Sequence, residues 1–224
     1  MPNYAISDIH GCSKTFKKLL KKIELSKKDT LFLLGDYINK GPNSFEVIEH
    51  IRKLQSKGFD LRCLRGNHEE LLLEDLDGIT RRQGISKNLL KSYAILDKSK
   101  LPKEHIKWMR DLSYYFEHEH FILVHAGLDF SLKNPLKGKQ AMLWEKGWYS
   151  GIDKKWLNGR TIIHGHSPSR RQFIKGQLKN PSKAKAINID NGCALPYKDF
   201  GRLCCFNLDS YELSFQKNKD IKWI

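Results

Sequence analysis

Several things are scarce in this 224-residue chain. Long apolar runs are missing: stretches such as Tyr4–Ile6 and Phe121–Val124 are only a few residues long, so none is expected to span a bilayer. The strand-like pattern that starts at Tyr4 leaves no room for a signal peptide. Cysteine is sparse and odd in number, five residues with no C-x-x-C pair, which argues for reduced thiols in a cytoplasmic protein and against a disulfide framework. No G-x-x-x-x-G-K-[ST] phosphate loop occurs, and no G-x-S-x-G elbow, which disfavours nucleoside-triphosphate motors and serine hydrolases. Hydrophobic residues nevertheless make up 40% and aromatic residues 11%, so the composition is globular and the length suffices for a substantial core.

Acidic charge is also scarce in one place. The chain has 40 Lys+Arg and 25 Asp+Glu, a net of +15, yet residues 131–185 hold 13 basic residues against 2 acidic ones. This segment is punctuated by Pro135, Gly138, Gly147, Gly151, Gly159, Pro168, Gly176 and Pro181, so it reads as largely loop. It is either an ordinary solvated surface or a basic rim around a cleft for an anionic substrate. The lysine pairs at 17–18, 21–22 and 27–28 flank Phe16, Leu19, Leu20 and Ile23 and read as the wet face of an amphipathic helix.

The first 76 residues repeat strand, loop and helix three times. Strands are expected at Tyr4–Ile9, Leu31–Leu34 and Leu61–Leu64, and helices at Ser13–Glu24 (with Ser13 as its cap), Ser44–Gln55 and about Asn67–Leu76. That order favours a parallel sheet. Residues 77–113 look helical and irregular, with Lys103–Leu112 the clearest helix. Short β-like segments follow at Phe121–His125, Thr161–His164, Gln172–Ile174, Ala186–Asp190, Arg202–Asn207 and Glu212–Gln216. No repeat, linker or low-complexity segment divides the chain, and residues 1–224 are expected to form a single α/β domain.

Polar residues recur where the expected strands end: Ser7-Asp8-Ile9-His10-Gly11, Gly35-Asp36 through Gly41, Arg65-Gly66-Asn67-His68-Glu69, His125-Ala126-Gly127 and His164-Gly165-His166-Ser167-Pro168. Ligands of α/β sheets gather beyond the carboxyl ends of the strands. Asp8 and His10, two apart, would share one face of an extended strand. Asp36, Asn67, His125 and His166 add a carboxylate, an amide oxygen and two imidazoles. The set suits Mn, Fe, Zn or Ni and includes no thiolate. Six ligands exceed a tetrahedral zinc site and suit two ions about 3.5–4 Å apart, an arrangement that needs a bridging carboxylate and serves an anionic substrate.

The ordered series D-x-H, G-D-x-x-x-x-G, G-N-H-E, H-A-G and G-H-S-P resembles the calcineurin-like metallophosphoesterases, and within them the phosphoprotein phosphatase group. The resemblance covers about residues 4–192 and extends to Asn188-Ile189-Asp190-Asn191-Gly192-Cys193, which is similar to a branch holding bacterial serine/threonine phosphatases and symmetrical diadenosine tetraphosphatases. It implies a two-sheet mixed β-sandwich flanked by helices, with two divalent ions, Mn first among the candidates, at one edge. It implies that Asp8, His10 and Asp36 hold one ion and that Asp36 bridges to a second held by Asn67, His125 and His166. A metal-activated hydroxide would attack phosphorus directly, without a phosphoenzyme. His68 would protonate the leaving group and Arg65 would clamp phosphate oxygens, while Glu69 would cap or pair within its loop.

Three positions depart from the family pattern. Asn39 stands where an Asp usually pairs with the catalytic His, so it can orient His68 but cannot stabilise its imidazolium by charge. Lys40 replaces a phosphate-binding Arg, a point charge for a bidentate fork. Lys146, in Leu143-Trp144-Glu145-Lys146, again replaces an Arg expected to face phosphate. The leading expectation is therefore a serine/threonine protein phosphatase. Alternatives are a hydrolase of diadenosine polyphosphates or nucleotides, and a catalytically weakened module that binds phosphorylated or nucleic-acid partners. Direct nucleic-acid binding is the less favoured partner class. His50, His105, His118 and His120 read as surface residues and His164 as buried structure. Trp144, Trp148, Tyr149 and Trp156 either anchor the basic loop or stack on nucleobases.

Overall fold

Apolar residues alternate along the short strands so that each strand faces two different cores. The computed structural model describes residues 1–79, 87–180 and 184–221. In chain order its elements are β1 (Asn3–Ile6), α1 (Ser13–Lys22), β2 (Thr30–Leu33), α2 (Ser44–Ser56), β3 (Asp60–Cys63), α3 (Asn67–Leu76), α4 (Lys87–Ser92), α5 (Lys103–Arg110), β4 (Tyr115–Glu117), β5 (Phe121–Val124), α6 (Lys139–Trp144), α7 (Lys154–Leu157), β6 (Thr161–His164), α8 (Arg171–Gln177), β7 (Ala186–Asn188), β8 (Arg202–Asn207) and β9 (Leu213–Lys217). Part of the irregular stretch expected between 77 and 113, and the loop position Pro181, lie outside the described residues.

Two mixed sheets face each other. One has the order β3-β2-β1-β8-β9 and the other β4-β5-β6-β7. The first three strands pair in parallel, as their strand–helix repeat implied, and β8 closes against β1 antiparallel. In the second sheet β5, β6 and β7 are parallel and β4 is an antiparallel edge. Ala5, Phe32, Phe121, Leu123, Ile163, Cys204 and Phe206 fill the space between the sheets. Their neighbours Ile6, Leu31, Leu33, Leu203 and Cys205 point the other way, against Phe16, Leu19, Val47, Ile48 and Ile51 of α1 and α2. Ile122, Val124 and Ile162 cover the outer face of the second sheet with Met142, Trp148 and Leu157.

Several local expectations change. Ser13 does not cap α1: its hydroxyl donates to Glu46, and the orphan amides of Lys14 and Thr15 donate instead to Asp220, 2.9 Å each, from the far end of the chain. Gln172–Ile174 is helical, within α8, because Ile174 alone of that run is buried and Phe173 faces outward, a one-sided burial that a helix satisfies. His105 is fully buried, with Nε2 2.8 Å from the Glu49 carboxylate of α2. All five cysteines are free and buried, and burial pushes the Cys63 thiol up to about 12, which keeps it unreactive. Among the described residues no helix is long and apolar enough to cross a membrane.

Phe206 is fully buried in the layer between the sheets. Phe206→Ala should therefore lower unfolding free energy by about 3–5 kcal/mol, read as a shifted urea midpoint with an unchanged slope.

Candidate metal centre

The ends of five strands converge on one edge. β1 leads to Asp8 and His10, β2 to Asp36, β3 to Asn67 at the first position of α3, β5 to His125, and β6 to His164 and His166. The chain does not place these groups by continuing its strands. β1 ends at Ile6, and Asp8 and His10 both have positive φ, 53° and 48°. The shared face foreseen from an extended strand thus arises from left-handed kinks. Asp36, Asn39, Lys40 and His166 also sit at positive φ, between 55° and 69°. Such conformations are strained for residues with a Cβ and persist where surrounding contacts enforce them. Here the enforcement is backbone stapling: the His10 amide donates to the Asp36 carbonyl, and the Gly11 amide to the Tyr37 carbonyl, each 2.8 Å. Gly165 is required because a side chain there would collide with Ser7 and Asp8.

All six expected ligands come together. Asp36 is at the centre, and its two oxygens face different partners. Oδ2 lies 3.4 Å from His10 Nε2 and 3.9 Å from His68 Nε2, whereas Oδ1 lies 3.5 Å from His125 Nε2. Asn67 Oδ1 is 2.9 Å from both His125 Nε2 and His166 Nδ1. Asp8 Oδ1 stands 3.8 Å from His10 Nε2, while its Oδ2 accepts the Ser7 hydroxyl and the His166 amide. Two ligand groups result, His10–Asp36–His68 and Asp36–His125–His166, and they share Asp36. His10 Nδ1 donates to the Ile38 carbonyl and His125 Nδ1 to the Leu34 carbonyl, so each ring turns its Nε2 lone pair inward, as metal-ligating histidines do.

The donor set fits a pair of divalent cations. Two buried carboxylates, an amide oxygen and several imidazoles converge with no thiolate, and His166 Nε2 is buried with no hydrogen-bond partner. Lys40 Nζ is aimed inward, 2.7 Å from His10 Nε2, and supplies positive charge at the first group. Burial, then the neighbouring Asp8 charge, raises the Asp36 carboxyl well above its ordinary range. Burial, followed by the Lys40 charge, lowers His68 to about 3, and burial, followed by His125, lowers His166 to about 4. The rings are therefore neutral at physiological pH, the form that binds metal.

Other expected residues take up different positions. Asn39 Nδ2 reaches His68 Nδ1 at 3.1 Å, and its Oδ1 accepts the Lys40 amide at 2.8 Å. Arg65 is engaged within the protein. Its guanidinium is held by Glu70 at 2.7 Å, the Tyr114 hydroxyl at 3.0 Å and the Arg110 carbonyl at 2.6 Å, so it ties the loop after β3 to the helical layer. Lys146 is exposed on the loop after α6 and near enough to His166 to oppose its protonation. Glu69 does more than cap its own helix. Its two oxygens accept the amides of Asp36, Tyr37, Ile38 and Gly66 at 2.8–3.2 Å, which pins the loop that carries Asp36. Burial, and then Asp36, raises Glu69 to about 7. The G-N-H-E motif contained this residue and its partner Gly66, but the other three partners lie on a loop more than 30 residues away.

Residues 1–201 match the family model for calcineurin-like phosphoesterases. The chain belongs to that family. It is 27% identical over 217 residues, 88% of its length and 78% of the relative's, to a symmetrical bis(5'-nucleosyl)-tetraphosphatase of Vibrio cholerae serotype O1. A protein of the same name from Buchnera aphidicola is 36% identical over 134 residues, covering 57% of this chain and 45% of that one. Among solved structures, a candidate diadenosine tetraphosphatase superposes with a TM-score of 0.68 at 21% identity, covering 96% and 92% of the two chains. A serine/threonine phosphatase of Saccharomyces cerevisiae gives 0.66 at 16%, covering 100% and 82%. These neighbours share the two-sheet fold. The protein is thus a metallophosphoesterase, a hydrolase of phosphate esters from a family that uses a dinuclear metal centre.

Glu69→Gln replaces one acceptor oxygen by an NH2 that opposes the clustered backbone donors. Divalent-metal affinity, measured by calorimetry, should fall about 10–100-fold, the usual loss when a partner that orients ligands is altered. An unchanged affinity would show that the Glu69 clasp does not position Asp36.

Proposed function

We propose that this metallophosphoesterase cleaves a phosphoanhydride in a nucleoside polyphosphate, a dinucleoside tetraphosphate above all, in preference to a phosphoserine or phosphothreonine ester. The observation that carries the reading is the Asn39–His68 contact. Because Asn39 Oδ1 is engaged by the Lys40 amide, its NH2 donates to His68 Nδ1. That nitrogen then acts as an acceptor, and the ring is held neutral. A neutral imidazole is a poor source of a proton for a departing serine or threonine alkoxide. An anhydride releases a phosphate, a far weaker base that needs little help. The names of the curated relatives point the same way, whereas the expectation of a protein phosphatase has only fold neighbours behind it.

In this reading Asp8, His10 and Asp36 hold one divalent ion, and Asp36, Asn67, His125 and His166 hold the other, with Mn the first candidate. Bound cations would supply Lewis acidity toward phosphoryl oxygens and an activated water-derived nucleophile. Asn39 and Asp36 orient His68 through its ring and its backbone amide. Lys40 and Lys146 add positive charge at the two flanks of the centre, and the basic 131–185 segment steers a polyanion toward it.

Asn39→Asp provides the test. A carboxylate at this position accepts a proton-bearing Nδ1 and favours the imidazolium. Turnover of an alkyl phosphomonoester should rise by about tenfold or more, within the ~10²–10⁴ range of general-acid contributions. Turnover of diadenosine tetraphosphate should change by less than about threefold, because its leaving group does not need that proton. Equal stimulation of both, or alkyl-ester turnover by the unaltered protein matching that of the anhydride, would overturn the assignment.

A further inference from the structure

Beside His166 lies a cavity that the metal ligands do not use. Its volume is about 250 Å³; Lys146 and Tyr149 from the loop after α6 and Ser167, Pro168, Ser169 and Phe173 from the stretch that leads into α8 form much of its lining, and residues at the ends of β5, β6 and β7 complete it. Sites that enclose a whole drug-sized ligand measure roughly 300–1,000 Å³. This one has room for a single ring system. It begins one residue beyond His166, and Lys146 both lines it and opposes protonation of His166.

The aromatic walls are arranged unlike a core. Phe173 is 58% exposed and Tyr149 43%, although both are large apolar rings. Tyr149 is held rigidly: one face stacks on Trp148 with centroids 4.8 Å apart, and its hydroxyl is 3.0 Å from His164 Nε2. Trp148 is itself anchored to the Ala126 carbonyl at 3.2 Å. Phe173 has no such duty, since in α8 it is Ile174 that packs inward. Glu145 and Ser169 add hydrogen-bonding groups at the rim. Exposed aromatic faces beside a lysine and a phosphate-handling centre are what a nucleobase with an attached phosphate chain requires.

We infer that this cavity is a nucleobase subsite, in which the base stacks on Phe173, its polyphosphate passes Lys146, and the phosphoryl group next in line reaches the metal centre. The inference rests on the nucleoside polyphosphate reading above and extends it by naming the residues that select a nucleoside over a bare polyphosphate. Specificity thus comes from the loop after α6 and the first turn of α8, while the ligand loops perform the chemistry.

The test compares two non-hydrolysable probes by calorimetry on Mn-loaded protein: α,β-methylene-ADP, and methylenediphosphonate, which lacks the nucleoside. The unaltered protein should bind the first at least about tenfold more tightly, in keeping with one base–aromatic stack. Phe173→Ala should bring that ratio close to one, and Phe173→Tyr should preserve it. A ratio near one in the unaltered protein, or a ratio indifferent to Phe173→Ala, overturns the subsite. The two readings fail separately. Protein that keeps the ratio but does not cleave diadenosine tetraphosphate refutes the assigned reaction and leaves the subsite standing. Protein that cleaves it with a ratio of one refutes the subsite alone.

Discussion

A carboxylate buried between two sets of imidazoles is the constraint on which this molecule turns. Asp36 is 1% exposed, and its oxygens face His10 and His68 on one side and His125 on the other. Removing a charge from water is expensive unless opposite charge and hydrogen bonds compensate it. The protein supplies a hydrogen bond from the His68 amide and the nearby positive charge of Lys40, whose Nζ lies against His10 Nε2. The rest of the compensation is the task for which the converging donors are suited, the binding of divalent cations. The fold can be understood as the scaffold that makes this burial tolerable. Parallel strands end together, their loops are stapled by backbone hydrogen bonds, and Glu69 collects four amides to fix the loop that carries Asp36.

The same constraint explains where strain is kept. Asp8, His10, Asp36, Asn39, Lys40 and His166 all adopt left-handed backbone conformations, although none is glycine. Their side chains must leave the strand ends at angles that a pleated strand does not offer. A buried two-sheet core, with Phe32, Phe121 and Phe206 between the layers, provides the stability against which this strain is held. Glycine is kept for close approach, as at Gly165 against Ser7 and Asp8. Stability is thus concentrated between the sheets, and unfavourable conformations at the edge that performs chemistry.

Much of this was legible in the sequence. Short apolar runs and period-3.6 patterns placed β1, β2, β3, α1, α2 and α5 to within a few residues, because the strands are buried on both faces and the helices pack one apolar face on a single core. The six candidate ligands stood out as polar residues at strand ends, four of them beside a glycine. What could not be read depended on partners distant in the chain or on backbone geometry that residue identity does not encode. Ser13 looked like a cap until Asp220 arrived from over 200 residues away. His105 looked exposed because its Glu49 partner lies on another helix. The partners of Arg65, namely Glu70, Tyr114 and the Arg110 carbonyl, likewise emerged only with the fold. Gln172–Ile174 was too short for periodicity to separate strand from helix. The left-handed turns at Asp8 and His10 had no signal at all, so these two residues were paired on a pleat argument that the backbone does not follow.

The basic segment has one point of contact with this geometry. Its Lys146 lines the outer cavity and opposes protonation of His166, so part of the segment's charge lies at the edge of the sandwich. The account as a whole depends on Asp36 serving two cations at once. The most direct measurement is the number of divalent ions bound per chain, by elemental analysis and calorimetry, in the unaltered protein and in Asp36→Asn. The account predicts two ions per chain, with both sites weakened together by the substitution. A single ion per chain, or two ions of which Asp36→Asn weakens only one, would contradict it.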